Sequence, residues 1–444
     1  MPSSIAALLT AAFVGALLLW DRRAYPQATS ALWIPVLWMS TTASRYPTQW
    51  FSLGAPTSGI GNVAEGSPLD ALFFFALIAL GVLVLARRRV QLGRLVQNNP
   101  WLTAFVVYGL VSIIWSDFPF VSAKRWVKAL GPPVMALIIL TDPAPAPAFK
   151  VVMRRCAFLL LPASVLFIKY FPEYGRGWDA FTGQPFNNGV GLTKNDLGYQ
   201  CMAFGLVFVW ILLTANSATS MAIRRQEVLV SGGMLLVIAW LLNLANSATS
   251  VTTLLVGTGL MLILGTKIIN RRYFAVYAVF AIGLLATSEW LFGVYDAVIR
   301  GLGRDPSLTG RVDVWKDALN LQSNPILGAG FQSFWLGHRL DLMWQTWWWQ
   351  PIQAHNGYIE TYLNLGYVGV LLLGCLLVST FLRICRLLLT DFDWARFRLA
   401  MFVAVLAFNY TEAAFHGVHL IWAMFYIIAL QYPSKRAATA CAPG

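Results

Sequence analysis

The sequence predicts an all-α polytopic membrane protein of about 12–13 transmembrane helices with one long extracytoplasmic loop. Three observations lead there. Of the 444 residues, 58% are hydrophobic and only 11% charged, where a soluble domain carries roughly a quarter charged residues, and the mean hydropathy is +0.64. Apolar runs near the ~20 residues needed to cross a bilayer recur along the whole chain. Runs such as 71–86 and 251–265 are apolar on every face. They lack the alternation of a membrane strand, and in lipid only a helix satisfies the backbone of such a segment by itself.

Taken in order, spans are expected near 4–20, 29–43, 69–86, 100–116, 129–141, 156–171 and 197–214. Others follow near 228–242, 250–265, 273–289, 358–382, 399–414 and 417–431. Alternate connections then carry Arg22-Arg23, Arg87 to Arg89, Arg154-Arg155, Arg224-Arg225, Arg271-Arg272, the segment 383–398 and Lys435-Arg436. This is the positive-inside bias, and it accounts for the net charge of +13 without a nucleic-acid partner. It puts the amino terminus outside and the carboxyl terminus inside. The first apolar run has no basic n-region and no small-residue cleavage site, so it reads as a retained span rather than a removed signal peptide.

The five cysteines (Cys156, Cys201, Cys375, Cys385 and Cys441) have spacings suited to neither zinc nor a disulfide framework and read as packing residues. The whole of 1–444 is expected to be a single membrane domain. Two outer connections stand out, 172–196 and the much longer 290–357. The long one holds Trp315, Phe331, Phe334, Trp335, Trp344 and Trp347 to Trp349, too aromatic for a disordered linker. Within it Val312, Trp315 and Leu319 have helical spacing, Asn324-Pro325 stops that helix, and Gly328 and Gly330 turn the chain. One exact repeat, Ala-Asn-Ser-Ala-Thr-Ser, occurs at 215–220 and 245–250 on either side of one span and reads as coincidence.

Chemistry-bearing residues gather on the outer side. His355, at the mouth of the span that starts at Tyr358, can take a proton near neutral pH and so activate a hydroxyl. Alternatively it is an interfacial histidine bonded to a carbonyl. Asn356 and Glu360 lie on its helix side and could orient the ring or a substrate. Arg311, Lys194, Arg176, Arg125 and Lys124 run against the positive-inside trend. Outer basic groups suit a diphosphate, arginine through its bidentate fork, or contact lipid head groups, a reading that Lys124, Arg125 and Lys128 fit best. Gly191 to Gly198 opens a span, with Lys194 able to pair with Asp196 or with a phosphate. The Trp344–Trp349 run could stack on sugars or form an interfacial belt. Glu412 and His416 could line a cavity or pair with each other. Asp391-Phe392-Asp393 imitates a metal-binding Asp-x-Asp, but no nucleotide-binding pattern surrounds it, and no metal site is expected.

The order and spacing of several motifs resemble the O-antigen ligase and polysaccharide polymerase superfamily, above all its exopolysaccharide-polymerase-like branch. These are Ser44-Arg45 before Gln49-Trp50, Gly191 to Gly198, Asn246 to Ser250, Gly310-Arg311 to Trp315, Gly328-Ala329-Gly330, and Ala354-His355-Asn356-Gly357-Tyr358-Ile359-Glu360 with Gly366. The resemblance covers roughly 30–430. It implies a metal-independent glycosyltransferase, without cofactor, in the bacterial inner membrane with its active site facing the periplasm, and the catalytic loop at 290–357. The donor would be an undecaprenyl-diphosphate-linked oligosaccharide and the acceptor a sugar or glycolipid, with polysaccharide assembly proteins as possible partners. Arg311 would bind the donor diphosphate, His355 would activate the acceptor hydroxyl, and Lys194 would be a second phosphate contact, with Asn195, Asn356, Glu360 and Trp315 beside the substrate.

Ligases of this family tend to carry a basic residue in the segment matching 246–250, which here is Asn-Ser-Ala-Thr-Ser; that departure favours a polymerase, or else shifts phosphate binding to other residues. A transporter of lipid-linked sugars would need polar groups in broken spans at mid-membrane depth, where this sequence is almost wholly apolar. A catalytically silent assembly partner would tolerate loss of both Arg311 and His355.

Overall fold

The computed structural model describes residues 1–51, 66–179, 183–217, 221–292, 310–322, 324–415 and 417–432. Its helices of ten residues or more are, in chain order, α1 (Ser3–Ala24), α2 (Trp33–Ala43), α3 (Pro68–Arg87), α4 (Pro100–Val111), α5 (Pro119–Ala129) and α6 (Gly131–Leu140). Next come α7 (Pro145–Tyr170), α8 (Lys194–Thr214), α9 (Met221–Ala245), α10 (Ala248–Gly265) and α11 (Phe274–Phe292). The remaining ones are α12 (Arg311–Asn320), α13 (Gly337–Thr346), α14 (Gly357–Thr390), α15 (Phe392–Thr411) and α16 (Leu420–Ala429). His416, Cys441, Lys435-Arg436, residues 218–220 of the repeat and residues 293–309 of the long loop lie outside the described residues.

The chain is an all-α polytopic membrane protein. Among the described residues, seven helices are long and apolar enough to cross a membrane: α1, α3, α7, α8, α9, α10 and α14. Even α10, with 18 residues, rises about 27 Å at ~1.5 Å per residue. The other expected spans are helical too, but several are short. α2, α6 and α16 have 11, 10 and 10 residues, fewer than the ~20 that cross unaided. All of α16 is buried, packed on α6 and α15. A run apolar on every face is what a lipid-facing span and a core helix both require, and here the core takes it. α7 and α8 form the buried centre, while α1, α3 and α14 turn most of their apolar surface outward.

The expected connection at Arg154-Arg155 is corrected by the structure. α7 begins at Pro145, so both arginines lie inside the helix and are buried. Asp21 of α1 holds them, with Arg154 Nη2 at 2.8 Å and Arg155 Nε at 2.8 Å, and Glu227 of α9 accepts from Arg154 at 3.3 Å. Charges in such a place persist only when paired, so this cluster ties three helices at one end of the bundle. At the other end the 172–196 connection carries a small antiparallel hairpin, β1 (Arg176–Trp178) and β2 (Pro185–Asn187), that the all-helical reading did not foresee.

α14 is two helices meeting at Gly366, whose φ of 62° and ψ of −165° suit glycine alone. The break frees backbone groups, and the turn after α12 satisfies them. Ala329 and Gly330 donate to the carbonyls of Leu363 and Asn364 (3.1 and 2.9 Å), while Tyr367 and Val368 donate to Pro325 and Ile326 (2.8 and 3.2 Å). Space is as tight as the hydrogen bonding. A Cβ on Gly366 would lie 2.2 Å from the Ile326 oxygen, and one on Gly328 would lie 2.4 Å from the Asn364 carbonyl carbon. The segment between α11 and α14 is thereby locked onto α14, over a small hydrophobic core of its own that includes Val314, Phe334, Trp335, Leu340, Met343 and Leu363.

Candidate active site

Four chain segments converge where α15 ends: the start of α8, the start of α12, the residues before α14, and Glu412. The carboxylate of Glu412 is the hub. Its Oε1 accepts from Arg311 Nη2 at 2.9 Å and from Asn195 Nδ2 at 2.8 Å, and its Oε2 lies 3.0 Å from His355 Nδ1. Arg311 also donates to the Thr411 carbonyl, fixing the guanidinium against the end of α15.

The local sequence explains why His355 points there. Asn356 caps α14, its Oδ1 accepting from Tyr358 N (2.9 Å) and Ile359 N (3.1 Å), while its Nδ2 donates to the Tyr410 carbonyl at 3.1 Å. Gly357 permits the close approach to α15, because a Cβ there would meet Asn409 Oδ1 at 2.2 Å. Ala354 is held from both sides: its N–H donates to Glu360 at 3.0 Å, and its carbonyl accepts from Trp315 Nε1 at 2.6 Å. Between these anchors His355 takes φ of 49°, a left-handed conformation that a histidine rarely adopts without such constraint.

Burial by itself would raise the Glu412 carboxyl. The hydrogen bond and charge of His355, joined by the Arg311 guanidinium, outweigh it and bring the group from 4.5 down to about 2. At neutral pH the carboxylate is therefore ionised and only accepts hydrogen bonds. Nδ1 of His355 then carries a proton, and in the neutral ring Nε2 is the acceptor. Among the described residues Nε2 has no hydrogen-bond partner, and the side chain is 24% exposed. The arrangement presents a proton acceptor and a guanidinium side by side, with further guanidinium N–H groups left for an anion.

The lowered carboxyl has a consequence for acid stability. A group depressed in the folded state contributes stability that is fully present above its unfolded value, near 4.5, and is lost as pH falls toward about 2. The melting temperature of the detergent-solubilised protein is expected to drop over that window, and to drop less in Glu412→Gln. Equal slopes in the two proteins would refute the assignment.

The other expected site residues are distributed as follows. Asn195 belongs to the hub. Lys194 does not: it pairs with Asp179 at 2.9 Å. Asp196, offered as its partner, instead caps α8 by accepting from Leu192 N (3.0 Å) and Thr193 N (2.8 Å). Glu360, expected to orient the ring or a substrate, is buried and accepts from Trp335, Ala354 and Asn364 at 2.9 to 3.0 Å. The ring is oriented by Glu412 instead. Trp315 and Asn356 brace the backbone on either side of His355. Of the tryptophan run, Trp344 donates to the Pro351 carbonyl (3.1 Å) and Trp347 to Asp317 (3.0 Å), so both are built into the fold. Trp349 lies with its ring 6.1 Å from that of His355, and Trp348 is 65% exposed.

Two anchors act at one remove. Arg45 is buried and donates to the Gly191 carbonyl at 3.1 and 3.3 Å, setting the turn before α8. Ser247 and Ser250, from the segment where ligases carry a basic residue, pack within 2.9 Å of the Cβ position of Gly198. No cluster of three potential metal-ligating side chains occurs among the described residues.

Residues 233–374 match the family described as O-antigen ligase, Wzy_C. Over 321 residues the chain is 27% identical to the exopolysaccharide production protein ExoQ of Rhizobium meliloti (strain 1021), covering 70% of this chain and 71% of the relative. The family match and this relative together bear out the resemblance to the O-antigen ligase and polysaccharide polymerase superfamily.

Proposed function

We propose that the protein is a membrane glycosyltransferase that joins isoprenoid-diphosphate-linked oligosaccharide repeat units into exopolysaccharide or O-antigen at the outer face of the inner membrane. The observation that carries this reading is the hub itself: an ionised Glu412 that fixes the Nδ1 proton of His355, with the Arg311 guanidinium on the same carboxylate. His355 Nε2 takes the proton of an acceptor hydroxyl as its oxygen attacks the anomeric carbon. The bond from that carbon to the diphosphate oxygen breaks, and its electron pair leaves with the diphosphate. Arg311 offsets the charge that builds there. Direct attack inverts the anomeric carbon, and no second carboxylate is needed as in a hydrolase. The proton on Nε2 then passes to water or to the departed diphosphate.

Polymerisation is favoured over transfer to a lipid-A core by two observations. The relative's name concerns exopolysaccharide production, and the 246–250 segment lacks the basic residue of the ligases. The positive-inside pattern supports a periplasmic position for the hub, since Asn195, Arg311 and His355 belong to the ends of the spans that the basic connections avoid.

The test is complementation of a null strain with His355→Ala and Arg311→Ala, with membrane levels checked and surface polysaccharide resolved by size. Both variants should accumulate while yielding single repeat units in place of long chains. Long chains from both would overturn the reading.

A further inference from the structure

A groove of about 900 Å³ runs between α3 and α5, and none of the hub residues lines it. One wall, from α3, is hydrocarbon: Leu72 and Phe75 are 64% and 59% exposed, with Phe74 and Ile78 behind them. The other wall is basic. α5 is an amphipathic helix that brings Lys124, Arg125 and Lys128 to the groove.

Lys124 and Lys128 have no carboxylate within salt-bridge distance among the described residues. Their ammonium groups rest on aromatic faces, Lys124 4.9 Å from Phe120 and Lys128 4.6 Å from Phe74 and 4.8 Å from Tyr46. The nearby acid, Asp70, accepts from Thr48 N at 3.0 Å and Thr48 Oγ1 at 2.6 Å. Burial lowers the Lys128 ammonium, with Asp70 opposing and Arg125 assisting, so an anion in the groove would restore its proton affinity.

The groove adjoins a second space. Gln332 and Gly417 line the groove and also line a small cavity that reaches Gly357 and Glu360, in the first turn of α14. Where the two spaces meet, Gln332 has φ of 49°, Arg125 donates to its carbonyl, and its buried Nε2 donor has no partner among the described residues. A strained residue with an orphaned donor, placed between a lipid-sized groove and the residue next to Asn356, points to a polar ligand group passing there.

We infer that this groove seats a second isoprenoid-diphosphate lipid, with its phosphates on Lys124 and Lys128, its chain along α3, and its sugar directed past Gln332 toward His355. The inference rests on the transferase reading, in which two carrier-linked sugars meet and only one surrenders its diphosphate. That reacting diphosphate belongs at Arg311. The other lipid keeps its own and needs separate cations to hold it.

The test uses the full-length protein in phosphatidylethanolamine nanodiscs and a benzophenone-bearing farnesyl diphosphate, with the photolabel mapped by mass spectrometry. Label is expected on peptides covering 68–78 and 118–129, displaced by undecaprenyl diphosphate and not by phosphatidylglycerol. It should fall about tenfold in the Lys124→Gln/Lys128→Gln pair, survive in the Lys124→Arg/Lys128→Arg pair, and persist in Arg311→Ala. Equal displacement by phosphatidylglycerol would make the groove an ordinary lipid seat, and loss of label in Arg311→Ala would mean one site instead of two; either result overturns the inference. Complementation separates the two readings. Long chains from His355→Ala retire the transferase whatever the label shows, whereas a missing groove label with an inactive His355→Ala retires only the second seat.

Discussion

Glu412→Gln is expected to leave a folded, membrane-inserted protein that makes almost no long polymer. The carboxylate receives three donors on two oxygens, and an amide offers one oxygen and one NH₂ group. With the amide oxygen kept on Arg311 and Asn195, the NH₂ faces His355 Nδ1 and forces that nitrogen to accept. The proton then moves to Nε2, which can no longer take one from a hydroxyl. General-base contributions are worth about 10²–10⁴-fold in rate, and a loss in that range is expected in an assay of chain growth in isolated membranes. Glu412→Asp keeps the charge and should lose less. A Glu412→Gln protein with near-normal chain growth would show that the carboxylate only braces the fold, and would remove His355 as the base with it.

Gly366→Ala is expected to act in the opposite manner, on the amount of protein and not on its chemistry. At φ 62° and ψ −165° a side chain costs roughly 1–3 kcal/mol in backbone strain alone. Here the new Cβ would also lie 2.2 Å from the Ile326 oxygen, so the turn over 325–330 must move and give up its bonds to the broken helix. Each buried backbone group left unpaired costs about 1–3 kcal/mol more. A total beyond about 3 kcal/mol is enough to cut the steady-state level several-fold. Membrane immunoblots and recovery of monodisperse protein after detergent extraction measure this. Wild-type recovery would mean that the segment between α11 and α14 is not fastened to α14 in the way its geometry indicates. Set side by side, the two variants separate the hub from its scaffold, since one keeps the protein and loses chain growth while the other loses both.

The local parts of the site were legible because their signals are local. The apolar spacing after Gly310 foretold α12, and His355-Asn356-Gly357 before an apolar run placed the start of α14. The choice of His355 and Arg311 came from family-like motifs and from rarity of type. Asn195 was singled out too, without any sign of what it holds. Glu412 stands out in the sequence only together with His416, as lining a cavity or as its partner. It lies 57 positions from His355 and 101 from Arg311, and nothing in a single sequence marks a pairing across such separations. Glu360 stands four positions after Asn356, and helical spacing makes it a candidate to orient the ring or a substrate, but both His355 and Asn356 precede the helix that starts at Gly357 and the rule does not reach them. The hairpin at 176–187 is too short for a periodic signal, and Arg154-Arg155 looked like a connection because a basic pair usually ends a span.

By itself the sequence determined the environment: a chain so apolar, with so few charges, can bury its backbone only as helices in a bilayer. That conclusion depends on composition and on patterns within one turn of helix, which need no knowledge of distant neighbours. Only the tertiary structure decided which apolar helices face lipid and which fill the core, why two arginines can sit inside α7, and which carboxylate governs His355. Each of these is settled by what the rest of the chain places alongside, because burial and ionisation are properties of an assembled environment and not of the residue that experiences them.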